Sequence, residues 1–254
     1  MKMEVRRQGG GWTLVETLVT VAILAVLAAI AIPVTTSFKE RAYRARAAEK
    51  LKSLGTAFMS YTVDSNGELP AEDSPGTDDW QTVSDPANAK AWYNALPEIM
   101  GAGSLGSLAG NPQRMYDDAY PLFLPGAPYP KSDKKLGQPL FAIAMNSRIQ
   151  RKNDTGVKVY GTMAAIQAPQ RTVVFLERGL PADEKSNPGQ RGFDGSPKAN
   201  ARAFVARYNG QGLLIFADGH IEMHAVSDLI SSSGLIKQPQ TDVVWTLDPD
   251  EDPN

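Results

Sequence analysis

WTLVETLVTVAILAVLAAIAIPVTTSFKERAYRARAAEKLKSLGTAFMSYTVD, residues 12–64, is the stretch from which the architecture follows. Between Thr17 and Phe38 it holds no charged residue. Leu18 to Ile32 is almost wholly Leu, Val, Ile and Ala, a run long enough for a membrane-spanning helix. A secretory signal has a shorter apolar core followed by a break. Here no such break follows: beyond Pro33, Ala47, Leu51, Leu54, Phe58 and Tyr61 recur at three- and four-residue spacing on one helical face. The helix is therefore expected to outlast the apolar run and reach Asp64, a length of roughly 80 Å at about 1.5 Å per residue. Asn66-Gly67, with Pro70 soon after, supplies the stop. Pro33 cannot donate to the carbonyl of Ala29, so a kink or loosened turn is expected there.

Upstream, residues 1–11, MKMEVRRQGGG, set Lys2, Arg6 and Arg7 against Glu4 and end in three glycines, which reads as a processed leader. Downstream, 68–136 is rich in Pro, Gly, Asp and Ser, and loops with one or two short helices are expected. Leu140–Met145, Thr172–Leu176, Ala203–Tyr208, Leu213–Phe216 and His220–Ala225 look like strands. The last three are joined by Asn209-Gly210-Gln211-Gly212 and Asp218-Gly219 turns into a β-meander. Asp248 to Asn254 is acidic and proline-broken, with little capacity to pack. The expected class is α+β, a long N-terminal helix whose second half packs on a C-terminal antiparallel sheet. The expected segments are a leader 1–11, a transmembrane and assembly helix 12–38, its amphipathic continuation 39–64, a globular domain with a loop-rich insertion 65–247, and the tail 248–254.

Composition excludes several functions. The formal net charge of -2 and a pI of 5.8 offer no basic field for nucleic acid. With no cysteine there is no disulfide framework, thiolate metal site or cysteine nucleophile. Loss of the leader, which carries three positive charges and one negative, would take the net charge from -2 to -4. Just past the apolar run, Lys39, Arg41, Arg44, Arg46, Lys50 and Lys52 against Glu40 and Glu49 make a stretch of +4, six less two. By the positive-inside rule alone that would hold the C-terminal side in the cytoplasm. A solvated helix face is the plain reading of this stretch, and a surface for phospholipid or an acidic neighbour the other.

Gly11-Trp12-Thr13-Leu14-Val15-Glu16, a basic leader ending in glycine and then an aromatic residue, Thr-Leu-Val-Glu and an apolar helix, resembles the type IV prepilins and type II secretion pseudopilins. The resemblance takes in Pro33, twenty-two residues into the mature chain, and Tyr61-Thr-Val-Asp64-Ser-Asn66-Gly67-Glu-Leu-Pro70 at the end of the long helix, about a quarter of the chain in all. It implies a pilin-like fold and cleavage after Gly11 by a prepilin peptidase that also methylates the new amino terminus at Trp12. It further implies assembly through Glu16 and Pro33 with other pilin or pseudopilin subunits. The chain would sit in a bacterial inner membrane by a single pass, in contact with its lipid, with the C-terminal domain on the extracytoplasmic side, before entering a pilus or secretion-type filament. No cofactor and no enzymatic activity are implied.

Chemistry points to Glu16 independently, because a carboxylate one turn into a membrane helix needs a partner. Its own helix N-terminus is one candidate, and the α-ammonium of a neighbouring subunit's Trp12 is the other, which the resemblance favours. Pro33 is either a harmless membrane proline or a point that yields when helices pack.

Other motifs carry less. In His220-Ile-Glu222-Met-His224 the glutamate is misplaced for a zinc-protease helix. Apolar alternation makes the segment a strand, in which residues four apart lie about 13 Å from each other, so both histidines cannot chelate one ion. Ala102-Gly-Ser104-Leu-Gly106 lacks the first glycine of a nucleophile elbow. Tyr208, ten residues before Asp218-Gly219, stands where some large prepilin-like proteins carry a histidine, and Phe141 to Ser147 and Pro169 to Phe175 also resemble that group. The Asp-Gly itself is explained as a tight turn. Asp248, Asp250 and Asp252 alternate like a calcium loop but lack its glycine and closing glutamate.

The function expected is therefore that of a filament subunit. The alternative is a membrane-anchored envelope enzyme or ligand-binding protein that uses the helix only as an anchor. Gly11-Trp12 joins the basic leader to the apolar helix, so the mature chain should begin at Trp12 in cells that possess the peptidase. Intact-mass measurement of the membrane-extracted protein checks this, and a mass retaining residues 1–11 would refute it.

Overall fold

A computed structural model describes residues 12–72, 79–130, 137–152, 158–159 and 161–254, with the side chains of 30–37, 151, 152, 158 and 159 left aside. The chain divides into two units, Met1–Ala42 and Tyr43–Asn254. The helix expected from the sequence is present as α1, Leu14–Asp64. Its helical assignment passes through Pro33, so the proline does not end it. Among the described residues no helix is long and apolar enough to cross a membrane. The span expected over 12–38 includes 30–37, whose side chains fall outside that description.

In the second unit, the stripe read from the sequence is the one that buries. Ala47, Leu51, Leu54 and Phe58 are fully enclosed and Tyr61 nearly so. The helix stops where Asn66 and Gly67 turn to positive φ, 54° and 85°, and the Gly67 amide reaches back to the Thr62 carbonyl at 2.7 Å.

The segment between helix and sheet contains α2 (Trp80–Ser84), capped by Asp79, and α3 (Trp92–Ile99), with short 3-10 turns between and after them. Far from a peripheral insertion, it fills the core. The Trp92 ring centroid lies 5.2 Å from that of Phe175 and 5.6 Å from that of Phe141, and its indole donates to the Pro197 carbonyl at 3.1 Å.

The sheet holds β1 (Ile143–Asn146), β4 (Val173–Glu177), β5 (Lys198–Ala199), β6 (Gln211–Phe216) and β7 (Ile221–Ala225), in the order β5-β1-β4-β6-β7. A separate pair is made by β2 (Arg151–Lys152) and β3 (Lys158–Val159). In the large sheet β1, β4, β6 and β7 are antiparallel in sequence, with Ile143 opposite Glu177, Leu176 opposite Leu214, and Leu213 opposite Met223. Alternation sends Met145, Phe175, Leu213 and Ile215 to the α1 side, where Phe58 meets Phe175 edge-on at 5.8 Å. Ala144, Leu176, Leu214 and Phe216 go to the other side. There a second layer from the C-terminal segment, with α4 (Val226–Leu229), Ile236 and Trp245, covers them. A Cβ on Gly55 of α1 would stand 2.9 Å from the Gly219 carbonyl oxygen, so the glycine is what lets the helix approach the β6–β7 turn.

Three expectations are corrected. The sheet is mixed rather than antiparallel, because β5 runs parallel to β1 as it returns from the long excursion after β4. Ala203–Tyr208 is not a strand. Ala201–Ala203 is a 3-10 turn, and Phe204 and Tyr208 make isolated bridges, the second of them closing the Asn209-Gly210 turn at φ 50° and 78°. Nor is the tail without packing. The buried Gln240 amide donates to the Pro249 and Glu251 carbonyls, and Asn254 exchanges hydrogen bonds with the Ile236 backbone at 2.7 and 3.2 Å. The tail is too polar to form a core, but it docks by supplying acceptors to donors that the fold has already buried.

A chain beginning at Lys39 drops the apolar run and keeps the buried stripe, so it should be soluble and unfold cooperatively. In that background Phe58→Ala should cost about 3–5 kcal/mol by cavity formation, read as a lower urea midpoint.

Candidate functional site

Of the residues singled out in the sequence, Gly11 lies outside the described residues, and Pro33 is placed by its backbone alone, within α1. Trp12 and Glu16 are brought within a turn of each other at the start of α1. Thr13 precedes the first helical residue and Glu16 is the third, the spacing of a capping box. Both halves of that box form: the Glu16 amide donates to Thr13 Oγ1 at 3.3 Å, and the Thr13 amide donates to Glu16 Oε2 at 2.8 Å. The Thr13 hydroxyl adds a third bond to the same carboxylate oxygen at 2.8 Å. Within one chain, then, Glu16 serves its own helix end, and the residue stays exposed.

The side chains that follow are apolar on every side of the helix and face outward. Leu14 is 80% exposed, and Val15, Leu18, Val19, Val21, Ile23, Leu24, Val26 and Leu27 are all more than half exposed. A helix that is apolar all round is stable in water only when something covers it.

In the second unit the basic stretch is partly spent on internal contacts. Arg46 pairs with Asp118 at 2.5 Å, and the Lys50 ammonium donates to the Asp118 and Tyr120 carbonyls at 2.6 and 2.9 Å. On β7 and the turn before it, Glu222 lies between the two histidines, 3.4 Å from His220 and 3.1 Å from His224. The other ring nitrogen of His220 meets Asp218 at 2.5 Å, and its ring stacks on Phe216. Among the described residues no group of three or more His, Cys, Asp or Glu could hold a metal. A cleft of about 520 Å³ runs between β7, α4 and residues 237–243. Several of its polar side chains are already engaged: His224 by Glu222, Asp228 by the Ala225 amide, and Gln238 by Asp252.

Sequence reasoning missed a buried charge cluster at the end of β4. Glu177 is fully enclosed and accepts from the Leu213 amide at 3.3 Å. Arg207, also buried, grips Asp183 through two nitrogens at 3.2 and 2.5 Å and donates to the Arg178 carbonyl at 2.6 Å. Arg178 turns the other way, donating to the Gly192, Ser196 and Lys198 carbonyls and pairing with Asp194 at 2.6 Å. Since Asp183 already claims Arg207, Glu177 is the surplus carboxyl, and burial pushes it up to about 7 despite the attraction of Arg207. A charged residue closing the apolar run Val173 to Leu176 is the signal that could have found it.

Compared with known proteins, the chain matches no family model, no curated protein and no solved structure.

The cluster carries a pH signature. Glu177 titrates at its ordinary 4.5 in the unfolded chain and at about 7 when folded. Between those values the folded state keeps a proton that the unfolded chain has released, so stability should fall as pH rises through the window and level off above it. The expected loss is on the order of 3 kcal/mol. Urea midpoints measured from about pH 4 to about pH 8 should show this fall in the parent and not in Glu177→Gln.

Proposed function

We propose that the chain is a structural subunit, a pilin or pseudopilin, of a type IV pilus or type II secretion-like filament in a bacterial envelope, processed by a prepilin peptidase between Gly11 and Trp12. The observation that carries this reading is the first half of α1. There an all-round apolar surface lies exposed along a helix whose N-terminus bears one carboxylate, Glu16. Such a surface calls for lipid before assembly and for like helices after it. The residues around it, from the glycine-terminated basic leader to Pro33, carry the resemblance to prepilins and pseudopilins. In this reading 12–38 inserts in the inner membrane as a single pass, and the unit beginning at Tyr43 lies outside the cytoplasm.

The role of Glu16 follows from its chemistry. Cleavage at Gly11 creates an α-ammonium at Trp12, and a neighbour's ammonium entering the helix bundle requires a counter-charge in a setting where an unpaired ion is costly. The capping box does not compete with this. It uses Glu16 Oε2 and leaves the carboxylate an open oxygen and its full charge.

Two substitutions separate capping from pairing. Glu16→Gln can still accept from the Thr13 amide but has no charge, whereas Glu16→Ala loses both functions. If pairing with the neighbour's amine drives assembly, both variants should insert normally, and their incorporation into sheared filaments should fall roughly tenfold or more at matched membrane levels. Normal incorporation of Glu16→Gln would confine Glu16 to capping, and absence of the parent itself from sheared filaments would favour the membrane-anchored alternative.

A further inference from the structure

Between the uncharged run and the buried stripe, α1 carries cations that the fold does not use. Among the described residues Ala47 is the first of α1 to be buried, and from Phe38 to Arg46 every residue is exposed except Glu40, which is half-buried. Of the six cations in the basic stretch, Arg46 and Lys50 are committed to Asp118 and Tyr120, and Lys52 lies beyond Ala47. Lys39, Arg41 and Arg44 remain, exposed and, among the described residues, without an ion pair. Glu40, the one carboxylate among them, has a contact of its own.

Their places around the helix decide what they can meet. At about 100° of turn per residue, Arg41 stands about 160° from Lys39 and Arg44 about 140° from it. The lysine and the two arginines therefore lie on nearly opposite sides. Tyr43 falls between Lys39 and Arg44, and Phe38 between Arg41 and Lys39; both rings are exposed, Phe38 at 64% and Tyr43 at 37%. An acidic partner chain approaches one face of a helix and calls for cations on that face. A ring of cations interleaved with aromatics, directly after an uncharged run, matches surroundings that encircle the helix, as headgroups encircle one that leaves a bilayer. Lys and Arg stems reach from apolar surroundings to phosphate, and aromatic rings settle at the same depth.

We propose that Lys39, Arg41 and Arg44, with Phe38 and Tyr43, form an interfacial collar that binds the headgroups of anionic phospholipids. The collar rests on the membrane insertion of the filament-subunit reading and names the lipid that this end of the inserted segment takes. Headgroup phosphate supplies the counter-charge for cations that the positive-inside rule would otherwise hold in the cytoplasm. The collar fixes the depth of the helix, and a subunit leaving the bilayer for a filament has to release its lipids.

The test uses the full chain in dodecylphosphocholine micelles, titrated with dihexanoylphosphatidylglycerol and followed by the amide shifts of residues 38–46. A saturable shift is expected there, with apparent affinity falling about fivefold for each cation replaced by Gln. The triple variant Lys39→Gln, Arg41→Gln, Arg44→Gln should lose roughly a hundredfold, whereas Lys39→Arg and Lys52→Gln should bind as the parent does. All three replaced side chains are exposed, so the buried stripe is untouched. Equal shifts with dihexanoylphosphatidylcholine would overturn the collar, and so would unchanged binding by the triple variant. Equal shifts with inorganic phosphate would reduce it to a general anion site, and shifts that follow protein concentration instead would give the cations to a second copy; either overturns it. These results leave the assembly role of Glu16 standing, since entering a micelle requires only the apolar run. A full chain that stays monomeric without detergent would overturn both.

Discussion

The second half of α1 and the central strands β4 and β6 can be stable only together. The stripe from Ala47 to Tyr61 is an apolar strip on an otherwise polar helix, and Phe175, Leu213 and Ile215 form a matching face that a bare sheet would present to water. Their mutual burial sets demands elsewhere. Gly55 must lack a side chain so that the helix can reach the Gly219 turn, and Trp92 must enter from the insertion to fill the space between Phe141 and Phe175. The other face of the sheet is just as apolar, so the chain after β7 has to return over it with Val226, Leu229, Ile236 and Trp245.

A sheet covered on both sides leaves its strand ends as the places where polar groups meet the core. Asn146 at the end of β1 shows the satisfied version, its amide bridging the Val173 and Trp245 carbonyls at 2.8 and 2.9 Å. Glu177 at the end of β4 shows the tense version. Opposite Ile143 in the ladder, it is fully enclosed, and the nearest guanidinium is already committed to Asp183. A carboxyl in such a place exists near the balance between its two protonation states.

The first half of α1 is built differently. From Leu14 to Leu27 its large apolar side chains are exposed, and the Thr13–Glu16 box at its start satisfies two of the donors that a helix end leaves unpaired. In the proposed filament subunit the same carboxylate would serve two purposes, ordering its own helix end and offering charge to a neighbour. The basic stretch beyond it is less free than its sequence implies, since Arg46 and Lys50 are drawn to Asp118 and Tyr120.

The sequence by itself determined the long helix, its buried stripe, its stop at Asn66-Gly67, the α+β class, and the turns at Asn209-Gly210 and Asp218-Gly219. These depend on local periodicity and on residues that tolerate positive φ, which neighbours in sequence specify. For Glu16 its own helix N-terminus was one of the two partners open in the sequence, while the share of the Thr13 hydroxyl in that cap emerged only in the structure. Tertiary structure alone decided the parallel β5, the loss of 203–208 as a strand, the docking of the tail on Gln240, and the meeting of Glu177 with Arg207, Asp183 and Tyr208. Ala203–Tyr208 has the composition of a strand, yet the sheet's ladder positions are taken by β6, and its residues are used to bury Phe204 and aim Arg207. Charges thirty residues apart become neighbours only when two strands close over them, and no local pattern records that distance.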